Sequence, residues 1–222
     1  VDHDVIGHRR RSSGVTPAVY VDTVEVVPDP RSSAVPQTLP RFAVVDIETS
    51  GLSTRRHRIL QVAVVTVEGN EIVDEWSTLI GLRWPLQRVG PRRVHGIRRR
   101  DLRGAPDQRS VLRDLSERLD GAVFTAHNAD FDWSFLEQAA ERSEVPLAPT
   151  SRLCTLRLSR SLDPDRALSH RLADVCERYG IVNHRAHDAL HDARATAEAL
   201  PHLLTAHGVA GPDDLGPLYE RR

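Results

Sequence analysis

Phe42-Ala43-Val44-Val45-Asp46-Ile47-Glu48-Thr49-Ser50-Gly51-Leu52 sets a short apolar, β-branched run against two acids and a closing glycine. That pattern predicts a buried strand over 42–47. Side chains alternate along a strand, so Asp46 and Glu48, two apart, project from the same face. Two carboxylates on one face of a buried strand repel each other and resist desolvation. A divalent cation between them removes the conflict, because carboxylate oxygens are its preferred ligands. The pair alone carries little weight, since about four acid-x-acid matches arise by chance in a chain with 31 acidic residues. Its weight comes from the apolar strand that leads directly into Thr49-Ser50-Gly51-Leu52.

Outward from this stretch, Ile59 to Val67 reads as a second strand and Ile72 to Ile80 as a third, with Glu68-Gly69-Asn70-Glu71 supplying hairpin turn chemistry. Pro106 to Leu119 has helical spacing, with Val111, Leu112, Leu115 and Leu119 on one stripe and Pro106 suited to a first turn. Gly121 ends it, and Ala122 to Ala126 makes a fourth strand. Helices are predicted over 130–141, 154–161, 172–179 with Gly180 as the C-cap, and 188–205. Three hairpin-like strands, a helix, a strand and several helices imply an α/β fold with a mixed sheet.

The 222 residues suit one domain with tails. Residues 1–40 hold five prolines, scattered serines, Arg9, Arg10 and Arg11 and a single aromatic, Tyr20, which predicts a mostly disordered tail. Val21 to Val27 alternates and is the one candidate strand there. The domain is expected over 41–207, and 208–222, with its Gly, Pro and charge, is expected to be a loose C-terminal tail. Cys154 and Cys176 lack the number and spacing of a disulfide framework or C-x-x-C site and read as reduced core residues. No long apolar run spans a membrane, and no hydrophobic stretch follows the basic N-terminus, so the expected location is cytoplasmic.

Two further clusters carry chemistry. His127-Asn128-Ala129-Asp130-Phe131-Asp132-Trp133 follows the fourth strand, where a sheet gives way to a helix and α/β folds place ligands. Taken alone, Asp130 or Asp132 better suits a helix cap or first-turn charge. His184-Arg185-Ala186-His187-Asp188-Ala189-Leu190-His191-Asp192 pairs His187 with His191 and Asp188 with Asp192 at helical spacing. A solvated face or a zinc site through the two histidines are the local alternatives. A phosphohydrolase built on a His-Asp pair is a third, though it needs an upstream histidine partner and an all-helical pattern.

Taken jointly, the order and spacing of these clusters resemble the DnaQ-like superfamily of 3′→5′ exonucleases, in its branch with four carboxylates and a histidine. This is the family of the proofreading epsilon subunit of bacterial DNA polymerase III. The matching motifs are D-x-E at Asp46 and Glu48, N-A-x-F-D from Asn128 to Asp132, and H-x(4)-D from His187 to Asp192. Val94-His95-Gly96-Ile97 and the segment from Ser169-His170-Arg171-Leu172 to Gly180-Ile181 are similar to further family segments. The resemblance runs from Phe42 to about Leu204.

It implies a ribonuclease H-like mixed sheet flanked by helices, and phosphodiester hydrolysis by two Mg²⁺ ions, with Mn²⁺ able to substitute. Asp46, Glu48, Asp132 and Asp192 would hold metal and His187 would be the general base. Thr49, Leu52, His95, Asn128 and Phe131 fall at or beside substrate-meeting positions, although Phe131 suits the core better. His187 lies five residues before Asp192, about 140° around an ideal helix, so both reach one site only if the helix starts after His187. DNA is the expected substrate, with RNA 3′-trimming as the alternative. A polymerase is a possible partner, and a non-catalytic polymerase-associated module is the reading of another class. The sequence leaves the oligomeric state open.

Charge distribution supports a nucleic-acid partner. The formal net charge is -1 and every basic residue is Arg, but Arg83 to Arg103 holds eight arginines against the single acid Asp101. So dense a run suits phosphate contact.

Overall fold

β1 (Phe42–Thr49) lies at the centre of a five-stranded sheet of order β3-β2-β1-β4-β5. The computed structural model describes residues 38–82 and 87–220. The expected N-terminal tail, with its candidate strand, falls outside these residues apart from 38–40, and so does Arg83.

β1 pairs antiparallel with β2 (Ile59–Glu68), which pairs antiparallel with β3 (Glu71–Leu79). Gly69 and Asn70 both take positive φ, 55° and 72°, as a tight two-residue hairpin turn requires. On its other side β1 runs parallel to β4 (Val123–Ala126), and β4 runs parallel to β5 (Ser151–Cys154). The helices are α1 (Arg92–His95), α2 (Gln108–Leu119), α3 (Ala129–Ser143), α4 (Thr155–Ser161), α5 (Leu172–Arg178) and α6 (Ala189–Ala206). A 3-10 helix follows over Pro212–Leu218.

Strand alternation sorts the core into two layers. Ala43, Val45 and Ile47, with Val62 and Val64, pack against Val111, Leu112, Leu115 and Leu119 of α2 and Phe135 and Leu136 of α3. Phe42 and Val44, with Ala63, Val65 and Val67, pack against α6. The α6 face begins with Ala189, Ala193 and Ala197, small side chains that let its first turns approach β1 closely. Asp46 and Glu48 continue the row of Phe42 and Val44 toward that end of α6.

Local boundaries differ from the sequence expectation at a few points. Asp107, not Pro106, starts α2, accepting the Arg109 and Ser110 N–H groups at 2.9 and 3.1 Å, so Pro106 precedes the cap. Tyr179, not Gly180, caps α5, and Gly180 follows it, two residues beyond the end of the helix, with φ 68°. β5 went unseen in the sequence because only Leu153 and Cys154 of its four residues are apolar. Its pairing is imposed by β4.

The C-terminal segment is packed rather than loose. Leu215 is fully buried (0% exposed) beside Leu203 and Leu204 of α6. Asp214 accepts the N–H groups of Ala210 and Gly211, which closes the turn before it. The Glu220 N–H donates to the Arg152 carbonyl at 2.9 Å, and its buried carboxylate faces Arg152 and Arg157. A segment rich in Gly, Pro and charge hides such scattered anchors from any compositional measure. Leu215→Ala should therefore cost about 2–5 kcal/mol in urea unfolding, whereas a loose tail would give a change within error.

Candidate active site

Four carboxylates reach one place from three elements. Asp46 and Glu48 stand near the end of β1, and Asp132 lies in the first turn of α3, which leaves the parallel neighbour β4. Asp192 lies in the first turn of α6. Glu48 is 9% exposed and Asp132 is 4% exposed. Asp132 does not cap its helix: Asn128 holds the cap position of α3, with no side-chain cap bond.

Burial and proximity push these groups toward their protonated forms. Asp46 is raised well above the ordinary carboxylate range, by burial first and then by Asp132, Asp192, Glu48 and Asp188. Burial, then Asp192 and Asp188, lift Glu48 to about 8. Asp132 is also raised well above its usual range, chiefly by burial. Asp192 is raised by burial too, opposed by hydrogen bonds from Asn183 and the His187 N–H. Buried acids that repel one another in this way mark a site prepared for positive charge. Ligand atoms of Glu48, His187 and Asp192 lie within 4.8 Å of one another, close enough to share a metal ion.

His187 stands before the helix. Its φ is 65°, Asp188 caps α6 by accepting the Leu190 N–H at 3.2 Å, and the helix begins at Ala189. The geometric condition set by the five-residue spacing is met, and the alternative of His187 and His191 on one helix face is removed. His191 pairs instead with Asp188 at 3.2 Å. The His187 N–H donates to Asp192 Oδ2 at 2.9 Å, and Asn183 Nδ2 donates to Asp192 Oδ1 at 2.5 Å. Asn183 Oδ1 in turn accepts the Arg185 N–H. Both oxygens of Asp192 are thus oriented by the loop that carries His187. Sequence reasoning missed Asn183, whose only signal is an amide side chain in a short loop ahead of an acidic helix start.

The loop after β1 is shaped by close approach. Gly51 has φ 153°, and a Cβ there would meet the His57 ring at 2.6–2.7 Å. Thr49 donates its hydroxyl to the Gly51 carbonyl at 2.9 Å, and Leu52 stands at the tip, 84% exposed. Gly90 packs against Ser50, where a Cβ would lie 2.3 Å from the carbonyl oxygen, so the arginine-rich segment runs beside this loop. In that segment Arg88, Arg92, Arg93, Arg98, Arg100 and Arg103 are exposed.

The expected substrate-meeting residues are not all alike. Asn128 is exposed, with φ 76°, beside Asp132. Phe131 is half-buried with its ring 5.1 Å from Phe135, so it fills the core. His95 is 7% exposed and turns inward, its Nδ1 accepting the Ile97 N–H at 3.1 Å. Burial also lowers the His95 pKa, with the Val89 backbone opposing. His127, one residue before Asn128, meets Thr155 Oγ1 and the His170 carbonyl, each at 3.0 Å. Burial holds it neutral, down at about 4.

The exonuclease family profile RNase_T matches residues 43–200, a span that contains every carboxylate of this cluster and His187. The chain belongs to that exonuclease family. The chain is 35% identical over 164 residues to the DNA polymerase III PolC-type protein of Bacillus subtilis (strain 168), covering 73% of this chain and 11% of that one. It is 35% identical over 179 residues to a putative bifunctional exonuclease/endonuclease of Mycobacterium tuberculosis (strain CDC 1551 / Oshkosh), covering 77% and 27%. The chain thus spans only a minor part of the length of these relatives. Among solved structures, Exonuclease X in complex with 5′ overhanging duplex DNA has a TM-score of 0.60 at 24% identity, covering 79% of this chain and 99% of that one. E. coli Exonuclease I in complex with a dT13 oligonucleotide has a TM-score of 0.67 at 18% identity, covering 76% and 42%. At such identities the likeness is one of fold, and it bears out the ribonuclease H-like mixed sheet. Among the described residues, no helix is long and apolar enough to cross a membrane.

The raised carboxylates fix the sign of a pH effect. Glu48 ionises at about 8 in the folded chain against an ordinary 4.5, so the native state holds a proton that the unfolded chain has released. Its contribution to stability is full at low pH and is lost as pH rises through about 8. His127 acts oppositely, but only below its ordinary 6.5. In EDTA the melting temperature should fall from about pH 6.5 to 8.5, and Glu48→Gln should flatten the fall. A melting temperature that climbs over this interval contradicts the assignment.

Proposed function

We propose that this domain is a metal-dependent 3′→5′ exonuclease that hydrolyses DNA from its 3′ end, of the proofreading or repair type. The observation that carries the reading is the convergence of Asp46, Glu48, Asp132 and Asp192, held toward protonation by burial and mutual repulsion. A protein that only bound a polyanion would gain nothing from four carboxylates beside the strand. That argues against a non-catalytic, polymerase-associated module.

The donor set fits Mg²⁺, with Mn²⁺ as a substitute, because both prefer hard carboxylate oxygens. In this assignment Asp46, Glu48, Asp132 and Asp192 would together hold the two ions. When bound, the two ions would neutralise charge on the scissile phosphate and on the attacking and leaving oxygens.

The chain's own residues do the rest. His187 is exposed and its ring lies near Glu48 and Asp192, so it can take a proton from the attacking water and return it to solvent. The water oxygen forms a new bond to phosphorus, and the bond from phosphorus to the 3′ oxygen of the preceding nucleotide breaks. The terminal nucleotide leaves as a 5′-monophosphate and the shortened strand keeps a 3′-hydroxyl. Leu52, projecting from the loop after β1, suits a wedge against the last bases, and backbone groups near Thr49 suit the 3′-hydroxyl. Asn128 lies beside the acidic cluster, where a substrate would meet it. The exposed arginines from Arg88 to Arg103 offer bidentate contacts to the phosphate backbone.

DNA is favoured because Exonuclease X and Exonuclease I were solved with DNA and the PolC-type relatives are DNA polymerases. No feature of the site favours RNA trimming. The same relatives suggest a polymerase as partner and the cytoplasm as the location. We draw the domain from residue 41 through the packed C-terminal segment to Glu220, beyond the boundary at 207 that the sequence suggested.

The test uses 5′-labelled single-stranded DNA, 3′-recessed duplex DNA and short RNA, each with Mg²⁺, Mn²⁺ or EDTA. A ladder should shorten from the 3′ end of DNA, stop in EDTA, vanish with Asp192→Ala and slow by at least about 100-fold with His187→Ala. Full turnover in EDTA or after Asp192→Ala would reject the mechanism. Preference for RNA would move the assignment to the trimming class.

A further inference from the structure

Away from the acidic cluster, a cavity of about 720 Å³ opens beside α4, lined in part by Arg157, Arg160, Ser161, Asp163, Arg166 and His170. Its walls are cationic. Among the described residues, Arg160 and Arg166 have no ion-pair partner, while Arg157 faces Glu220 at 3.7 Å. Asp163 is the one acid in the lining, and both of its oxygens are already engaged. Oδ1 accepts the Ala167 N–H at 3.1 Å, and Oδ2 accepts the Leu168 N–H at 2.8 Å and lies 3.2 Å from His170 Nε2.

The floor is built, and it holds one wall residue under strain. Asp163 is buried, and its carbonyl accepts the Arg166 N–H at 3.1 Å. This loop keeps Arg166 at φ 55°, a left-handed conformation that disfavours a residue with a side chain. Backbone strain retained by an organised loop is a reason to look for function there. His170 Nδ1 lies 2.9 Å from Ser159 Oγ, and Arg178 donates to Ser159 Oγ and to the Ser169 carbonyl. The His170 carbonyl meets His127, which directly precedes Asn128 at the end of β4. The cavity is therefore one side chain away from the strand end that presents the acidic site.

We propose that this cavity is a second anion-binding site and that it takes a backbone phosphate of the nucleic-acid strand upstream of the 3′ terminus. Arginine forks match phosphate oxygens bidentately, and the volume suits a phosphate with its sugar. The phosphate chemistry follows from the cavity alone; assigning the phosphate to a strand rests on the exonuclease reading. A free phosphate compound shares the chemistry and is the competing source.

The experiment measures binding of 5′-labelled dT12 to the full chain in EDTA across a series of salt concentrations. Removing divalent cations keeps hydrolysis out of the readout, so a failure of the metal mechanism leaves this measurement intact. The double variant Arg160→Ala, Arg166→Ala should bind about 10-fold more weakly, with the slope of log affinity against log salt reduced by about 0.7, the value for one lost phosphate contact. Arg160→Lys, Arg166→Lys should recover part of both. In parallel, inorganic pyrophosphate should raise the melting temperature of the wild type more than that of the double alanine variant. Wild-type affinity and salt slope in the alanine variant, or no dT12 binding by the wild type, overturns the strand assignment. If pyrophosphate still discriminates, the site takes free phosphate compounds; if it does not, the anion site itself is rejected. Both variants alter exposed side chains, and circular dichroism verifies their fold.

Discussion

The repulsion among Asp46, Glu48, Asp132 and Asp192 organises the rest of this structure. Left to themselves, four carboxylates separate and hydrate. Here β1 and β4 run parallel, β4 ends at Ala126 just before the level of Asp46, and α6 packs across β1, so the chain path forces the acids together. The alanine face of α6 sets how closely Asp192 can approach β1. Asn183 and the His187 N–H hold the two oxygens of Asp192 and so tie the histidine loop to the same centre. The hydrophobic layers on both sides of the sheet stabilise an arrangement that the acids themselves oppose. Such a conflict persists in a fold when positive charge relieves it in the working state.

Much of this was legible because it depends on periodicities. Alternation along Phe42 to Glu48 located the buried strand and put both acids on one face. The 3.6-residue stripe of Val111, Leu112, Leu115 and Leu119 located α2. The angle between His187 and Asp192 required a helix start between them, and Asp188 is that start. Elements fixed by tertiary context were not legible. β5 has two apolar residues and exists because β4 offers an edge. The C-terminal segment is anchored by Leu215, by the partly buried Val209, Leu218 and Tyr219 and by Glu220, scattered through a sequence that otherwise reads as solvent-facing. His95, which the resemblance places at a substrate-meeting position, is buried, and its Nδ1 accepts the Ile97 N–H, a packing no local pattern announces. Asn183 acts through one hydrogen bond made nine residues away, which no local pattern encodes.

The formal charge of -1 conceals a division of labour. Negative charge is concentrated and buried at the end of β1, while arginines stand exposed along the segment after β3 and around the cavity beside α4. On the proposed function a polyanionic strand would use both, cations along its length and an acidic centre that takes a phosphate once metal is bound. Arg serves the first purpose better than Lys because its planar fork pairs with two phosphate oxygens. The complete absence of Lys costs the surface nothing in this respect.

The central claim is that the clustered carboxylates hold protons which a divalent cation displaces. Calorimetric titration of Mg²⁺ into the metal-free protein at neutral pH, repeated in buffers of different ionisation enthalpy, counts the protons released. With Glu48 ionising at about 8 and its neighbours raised as well, the account predicts release of about one proton or more per protein. The release should shrink toward zero in the Glu48→Gln, Asp132→Asn double variant. Mg²⁺ binding with no proton release, or no binding at millimolar concentrations, would contradict it.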